Sequence, residues 1–261
     1  MKVTPILMST PMAESILVDT KTETRRIDKT LQPFNLNPNC WIYDGLDEDD
    51  EAIHYLEEVN SEKEHLEKYI AIKSRYGKTG DLLYVKETFC KFEGEIIYKA
   101  NSPFTSGRVG DGTKNPFPSI KAGYGIQWQS SLHMPKAAAR IWLMIESVHP
   151  ERLHSISEKE SLAEGVLKIT PEEAKKHNIP QLHPTASFNW HRRYTNLHKG
   201  PWICSARASF ITLWEYINGD SSWDTNPWVW VIKYRVTSKT GRPSDQEIQK
   251  HQNLISKCQT K

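Results

Sequence analysis

Residues 226–236 read NPWVWVIKYRV, a segment that fits a β-sheet better than other secondary structures. Its large side chains alternate with period two, which is the pattern of a β-strand with a buried face. The preceding segment, SARASFITLWEYING (205–219), has apolar residues at helical spacing and ends at a glycine. We therefore expect a sheet packed against a helix, with the alternating side chains in the core rather than stacked on bases. They are Trp228, Trp230, Ile232, Tyr234 and Val236.

Other segments add short strands and helices in an irregular order. VTPILM (3–8), LLYVKETF (82–89), GEIIYKA (94–100) and AARIWLMIESVHPERL (138–153) are predicted strands. The segment ISEKESLAEGV (156–166) is predicted to be a short helix, capped by Ser157 with Glu160 and ended by Gly165. Because helices do not follow strands in a regular βαβ rhythm, the sequence favours an α+β fold with a small mixed β-barrel.

Composition excludes several classes of protein. The 261 residues are 38% hydrophobic, with a net charge of +2, which suits a globular chain and predicts no partner by itself. No apolar run approaches the ~18 residues that span a bilayer, so we expect a cytoplasmic protein without membrane contact. The four cysteines are far apart, and no metal or cofactor is predicted. Dinucleotide, P-loop and HExxH motifs do not occur in the sequence.

Charge is unevenly distributed over two predicted inserts. Between Asp44 and Glu67 there are eleven acids and a single base, Lys63. We interpret residues 33–78 as an insert that begins with loop (33–45) and carries amphipathic helices between 46 and 72, with a surface for protein partners. Between His183 and Ser209 there is no acid.

The second insert, 168–204, is basic and aromatic and includes a predicted helix that begins at Pro171. Aromatic side chains among bases can stack nucleobases and attract phosphates, so this insert is a predicted nucleic-acid surface. A loop packed on the barrel is the alternative. The predicted surface residues are Trp190, Arg192, Arg193, Tyr194, Lys199 and Trp202.

Residues 19–26, DTKTETRR, fit either a solvated strand or one wall of a polar pocket. On a regular strand Lys21 and Thr24 would point to opposite faces, so they converge only if the chain bends near position 21. For each polar residue proposed below as a ligand-binding residue, an ordinary surface or packing role is the alternative. The predicted ligand-binding residues are Arg25, Arg26, Glu87, His133 and Lys136, with Arg26 or Lys21 as expected partners of Glu87 and an acid as the partner of Arg140.

Four motifs in order resemble the ASCH-domain family in its large phage and prophage form. They are ILMSTPMAESILVDTKTETRR, TGDLLYVKETF, SLHMPKAAARIWLMIESVHPERLHSISEKESLAEGV and SFITLWEYINGDSSWDTNPWVWVIKYRV. The resemblance implies a PUA-like β-barrel within residues 1–238. Residues 239–261 are polar and basic and are predicted to form a tail. The resemblance also implies a cleft for RNA, single-stranded nucleic acid or a modified nucleobase. The first motif is similar to that of small members that hydrolyse N4-acetylcytidine, and this implies catalytic roles for Lys21, Thr24 and Glu164.

Three functions therefore remain open. The favoured hypothesis is a nucleic-acid or modified-nucleobase-binding protein of phage type. The alternative is an amidohydrolase that removes an acyl group from N4-acylated cytosine nucleosides, with Lys21 as the base for Thr24. The third is a phage morphogenesis or host-interaction protein that has no small ligand.

Overall fold

The computed structural model describes residues 1–92, 94–101, 127–168, 191–192, 194 and 202–259. The helices are α1 (Thr10–Leu17), α2 (Gln32–Asn35), α3 (Glu158–Ala163), α4 (Ala206–Asn218) and α5 (Asp245–Gln259). The strands are β1 (Val3–Leu7), β2 (Glu23–Arg26), β3 (Trp41–Leu46), β4 (Ile53–Val59), β5 (His65–Lys73), β6 (Leu82–Lys86), β7 (Phe89–Phe92), β8 (Glu95–Tyr98), β9 (Trp142–Arg152), β10 (His191–Arg192), β11 (Trp202–Ile203) and β12 (Trp228–Ser238).

The main sheet has five strands in the order β1-β6-β9-β12-β2, and the chain divides into two compact units. The first unit comprises Met1–Asp19, Gly80–Ile145 and Arg235–Lys261. Within it β1 is parallel to β6, and β6 is antiparallel to the beginning of β9. Ile248 and Ile255 of α5 pack into a core cluster with Leu82, Phe89 and Trp142. Ser244 caps this helix, since its side chain accepts from the Glu247 N–H and donates to the Glu247 carboxylate. The helix lies in the segment 239–261 that the sequence predicts to be a polar basic tail.

The second unit comprises Thr20–Thr79 and Glu146–Tyr234. Within it β2 is antiparallel to β12, with Thr24 opposite Ile232 and Arg26 opposite Trp230. Phe210 and Trp214 of α4 pack in one core cluster with Val229 and Val231. This unit also contains the antiparallel sheet β3-β4-β5.

The α+β class and most of the predicted elements are confirmed, including β12, α4, and α3 with its Ser157–Glu160 capping box. Trp228, Trp230, Ile232 and Tyr234 are buried, as predicted for a core strand. The helix α4 nevertheless packs on the alternate residues of β12, so both faces of this strand are covered. Over the described residues no closed barrel is found, and the barrel remains a proposal.

The prediction of helices between 46 and 72 is wrong, because this segment forms β3, β4 and β5. Two tight turns separate the strands. In the first turn, Asp47 Oδ1 accepts from the backbone N–H groups of Asp49 and Asp50. In the second, Asn60 Oδ1 accepts from two backbone N–H groups on either side of Lys63, which adopts φ 65°. Such Asx turns compete with helix formation. The predicted loop at 33–45 is also partly wrong, since it contains most of α2 and the start of β3.

The helix predicted from Pro171 lies outside the described residues. Within the described ranges, none of the helices has the length and apolar character needed to cross a membrane.

Candidate functional site

The backbone changes its pairing partner within the segment DTKTETRR. Lys21 forms an isolated antiparallel bridge with Glu164, and the Thr22 N–H donates to the Ala163 carbonyl at 2.8 Å. The Thr22 carbonyl accepts from the Tyr234 N–H at 3.0 Å, and regular pairing with β12 begins at Glu23. Lys21 is therefore held against the end of α3, outside the regular ladder in which Thr24 lies.

The Lys21 ammonium is bound on all sides by oxygen. Its Nζ donates to Glu164 Oε2 at 2.7 Å, to the Glu164 carbonyl at 2.7 Å and to the Glu23 carbonyl at 2.8 Å. An ammonium group has three donors, so these bonds use all of them. The side chains of Lys21 and Glu164 are 0% and 1% exposed, which makes this a fully buried ion pair.

Burial lowers the pKa of Lys21 below its usual value, and the adjacent Glu164 carboxylate offsets only part of that shift. Arg26 also lowers the pKa, whereas Glu23 raises it. A lysine with a lowered pKa transfers its proton more readily than a solvated one. The Lys21–Glu164 pair can therefore take part in proton transfer as well as in a structural contact.

Thr24 follows Glu23, whose carbonyl binds Lys21 Nζ. Its side chain is fully buried, and within the described part of the chain its hydroxyl has no hydrogen-bond partner. The Glu23 carbonyl that binds Lys21 Nζ belongs to the peptide bond joining Glu23 to Thr24. The change of pairing at Thr22 thus brings Lys21 and Glu164 together, and Thr24 is joined to them through the Glu23 carbonyl that binds Lys21 Nζ.

Arg25 occupies the opposite face of β2 from Thr24, because neighbouring residues of a strand alternate. It is 2% exposed, and its guanidinium contacts four carboxylates. Nη1 lies 2.6 Å from Glu23 Oε1 and 3.5 Å from Glu164 Oε1, while Nη2 lies 3.2 Å from Glu151 Oε1 and 3.6 Å from Glu160 Oε2. Burial alone would lower the pKa of Arg25, but these carboxylates together raise it.

The sequence did not identify Glu23, Glu151 and Glu160 as partners of Arg25. Glu23 could have been found, since residues two apart on a strand share a face. Glu160 is recognisable only as the capping-box residue of α3, and no sequence signal connects Glu151 with β2. Lys233 completes the cluster, with Nζ 3.5 Å from Glu23 Oε2 and 3.9 Å from Glu160 Oε1.

The same unit also contains a buried histidine that the sequence does not single out as a functional residue. His54 of β4 is fully buried, and its ring packs edge-on against Trp230 with centroids 4.9 Å apart. The Tyr43 hydroxyl lies 3.2 Å from His54 Nδ1. Burial, with a contribution from His149, lowers the pKa of His54 to about 4. The ring is therefore neutral at physiological pH.

Glu87, another predicted ligand-binding residue, belongs to the first unit. Glu87 pairs with Arg140, not with Arg26 or Lys21 as expected. Arg140 Nε and Nη2 each lie 2.8 Å from a Glu87 oxygen, and the guanidinium stacks over Tyr98 at 4.0 Å. The predicted pairing of Arg140 with an acid is thereby confirmed. This geometry gives Glu87 a structural role in the first unit.

Arg26, His133 and Lys136 are the remaining predicted ligand-binding residues. Arg26 is partly buried, and its Nη1 lies 3.5 Å from the Arg25 carbonyl. His133 and Lys136 are exposed in short 3-10 turns of the first unit. The Lys136 ammonium lies 5.8 Å from the ring centres of Tyr84 and Trp142.

The predicted nucleic-acid surface is only partly described. Trp190, Arg193 and Lys199 lie outside the described residues, and only the backbone of Trp202 is described, in β11. Arg192 is exposed, with its guanidinium 5.6 Å from the ring centre of Tyr194. The Tyr194 hydroxyl accepts from the Leu167 N–H, and the ring packs against the core cluster that contains Phe210. Tyr194 is therefore engaged in packing.

In the described ranges, no group of three or more His, Cys, Asp or Glu side chains could hold a metal ion. Comparisons with protein-family models, with curated proteins and with solved structures found no match to this chain. The fold class is α+β, and the candidate site is built on the buried lysine–glutamate pair of Lys21 and Glu164.

Proposed function

We propose that this chain binds a modified nucleobase of the N4-acylated cytosine class beside Lys21, Thr24 and Glu164, and hydrolyses its acyl group. The observation that carries the proposal is the Thr24 hydroxyl, which is buried without a partner in the described part of the chain and follows the Glu23 carbonyl that binds the buried Lys21 ammonium. The resemblance of the first motif to N4-acetylcytidine amidohydrolases supports the same assignment. The ASCH-type barrel is part of the proposal, and the mixed five-stranded sheet supports it.

The charge balance favours a neutral base over a phosphate at this site. Lys21 and Arg25 are both bound to carboxylates. The four carboxylates of Glu23, Glu151, Glu160 and Glu164 balance the four bases Lys21, Arg25, Arg26 and Lys233. A phosphate would be repelled by the carboxylates and would find Lys21 and Arg25 already bound. A nucleobase can instead be recognised by hydrogen bonds and apolar contact.

The chemistry is an acyl transfer to Thr24 followed by hydrolysis. The Thr24 hydroxyl oxygen attacks the acyl carbonyl carbon, and its proton passes to Lys21. Lys21 can accept it only as a neutral amine, so its own proton first moves to the Glu164 carboxylate, 2.7 Å away. The bond from carbon to N4 breaks, and N4 takes up the proton. Water then hydrolyses the threonine ester and releases the carboxylic acid.

The three side chains are at most 1% exposed, so a substrate reaches them only after covering groups move. Turnover would then include an opening step.

The test is to incubate the protein with N4-acetylcytidine and to follow cytidine by chromatography. Thr24→Val should lower turnover by at least ~100-fold, because the nucleophile is removed. Thr22→Val is the matched control, since Thr22 is an exposed threonine of the same segment. Absence of cytidine with the wild-type protein, or undiminished turnover in Thr24→Val, would refute the hydrolase proposal.

Nucleic-acid binding through the basic insert is a second candidate, and the exposed Arg192 in an acid-free segment favours it. We expect fluorescence anisotropy to show binding of a mixed single-stranded oligonucleotide that weakens steeply with salt. Arg192→Ala should reduce the affinity and the salt dependence. If neither turnover nor oligonucleotide binding is found, the remaining hypothesis is a phage protein that docks partners through the acidic sheet β3-β4-β5.

A further inference from the structure

Tyr234 lies on the same face of the β2–β12 pair as Thr24. The register places Thr24 opposite Ile232, and the Tyr234 N–H donates to the Thr22 carbonyl at 3.0 Å. Residues two apart on a strand share a face, so Tyr234 and Thr24 are diagonal neighbours across the ladder. Diagonal neighbours are about 7 Å apart at Cα, which is within reach of an aromatic side chain.

These two residues share a second property. Tyr234 is 1% exposed, and its hydroxyl has no hydrogen-bond partner among the described residues, as is also true of the Thr24 hydroxyl. Buried hydroxyls are usually hydrogen-bonded, because leaving them unsatisfied is costly. Two such hydroxyls on one face of one strand pair indicate a place for a polar group that the described part of the chain does not supply.

The protonation of Tyr234 determines what it can offer. Burial, reinforced by the Glu164 carboxylate, raises the pKa of Tyr234 well above 10. The phenol therefore remains protonated at neutral pH and acts as a hydrogen-bond donor to an acceptor placed between the strands. A carbonyl oxygen that becomes negative during attack by Thr24 is such an acceptor.

We propose that Tyr234 donates a hydrogen bond to the acyl carbonyl oxygen of the substrate while the Thr24 hydroxyl attacks the carbonyl carbon. This inference depends on the proposed function, and it adds a catalytic residue to the Lys21, Thr24 and Glu164 set. It also restricts the substrate class, because the transferred group must carry a carbonyl oxygen that can approach the phenol. An N-alkylated cytosine lacks that oxygen and would not be recognised in this way.

The test compares Tyr234→Phe with wild type on N4-acetylcytidine. The substitution removes only a hydroxyl that bonds to nothing in the described chain, so a purely structural tyrosine would leave kcat unchanged. We expect kcat to fall by ~100-fold with little change in KM, as for the loss of one oxyanion donor. Tyr216→Phe is the control, since Tyr216 is 64% exposed on α4. An unchanged kcat in Tyr234→Phe overturns the inference and leaves the hydrolase proposal intact.

Binding measurements separate this inference from a failure of the proposed function. If the wild-type protein shows no turnover, the hydrolase proposal fails, and calorimetry with N4-acetylcytidine and cytidine becomes the deciding experiment. Preference for the acetylated base in wild type, lost in Tyr234→Phe, still supports Tyr234 as the carbonyl donor. Equal affinity for both bases in wild type, or no binding of either, overturns it.

Discussion

Lys21 and Glu164 are 143 positions apart in the sequence, yet their charged groups are 2.7 Å apart in a place that solvent does not reach. Neither charge could be buried alone, because the transfer of an isolated ion out of water is very costly. The bridge between their backbones holds the pair in register, so the ion pair and the local pairing stabilise each other.

Removal of one partner of this pair should therefore be strongly destabilising. We expect Lys21→Met to lower the free energy of unfolding by about 3–5 kcal/mol, since it leaves Glu164 buried and uncompensated. Lys233→Met is the control. Lys233 contacts carboxylates of the same cluster but is 42% exposed, and it should cost at most about 1 kcal/mol. Urea unfolding measures both variants. Equal effects would show that burial does not determine the cost.

The Thr24 hydroxyl should contribute nothing to stability. Valine has nearly the same shape, and the hydroxyl has no partner in the described part of the chain. We expect Thr24→Val to leave the free energy of unfolding unchanged or to raise it by about 1 kcal/mol, because an unsatisfied polar group is removed. A loss of more than about 2 kcal/mol in urea unfolding would indicate that the hydroxyl is satisfied in solution.

His54 should make the protein less stable in mild acid. Its pKa is lowered from 6.5 to about 4 by burial, so between these values the unfolded chain takes up a proton that the folded chain does not. Stability from this group is complete above pH 6.5, falls as the pH drops towards 4, and levels off below that. The loss is on the order of 3 kcal/mol.

His54→Gln isolates this effect from the nearby carboxylates, because it removes the titrating ring. The difference in unfolding free energy between wild type and His54→Gln should change with pH between 6.5 and 4 and stay constant above 6.5. The NMR shifts of the His54 ring should also remain those of neutral imidazole at pH 5.5. A ring that titrates near pH 6.5 would disprove the prediction.

The Glu87–Arg140 pair should depend on its two-point geometry. Two nitrogens of the Arg140 guanidinium each lie 2.8 Å from a carboxylate oxygen of Glu87, and the guanidinium also stacks on Tyr98. Lysine keeps the positive charge, but its ammonium group can neither bind both carboxylate oxygens through a planar pair of donors nor stack on the Tyr98 ring. We expect Arg140→Lys to cost about 1–3 kcal/mol in thermal or urea unfolding. Nucleobase binding should be unaffected, and a weaker affinity for N4-acetylcytidine at equal stability would restore the ligand-binding role first predicted for Glu87.

The sequence predicts those elements whose signal is local. The alternation from Trp228 to Val236, the capping box of α3 and the amphipathic α4 each lie within a dozen residues, and all three are present. The sequence predicts helices in the segment 46–72 because apolar residues there recur at spacings that suit both a helix and a strand. The Asx turns at Asp47 and Asn60 end the strands on either side of them, and these two residues are the sequence signal that favours strands over helices.

Long-range pairing limited the prediction of the site. The resemblance brought Lys21, Thr24 and Glu164 together as a set, but it could not show that Thr22 changes pairing partner. Nor could it connect Arg25 with Glu151, 126 positions away in the sequence. Contacts of this kind follow from the topology of the sheet, and no single stretch of sequence contains them.

The bridge between Lys21 and Glu164 also has a consequence for biosynthesis. The ribosome makes Lys21 long before Glu164, so the amine stays in water until α3 has left the exit tunnel. Contacts of such high sequence separation form late and slowly. Chains that end before residue 164 would therefore contain no assembled site. Burial of Lys21 occurs only in molecules whose synthesis has passed residue 164.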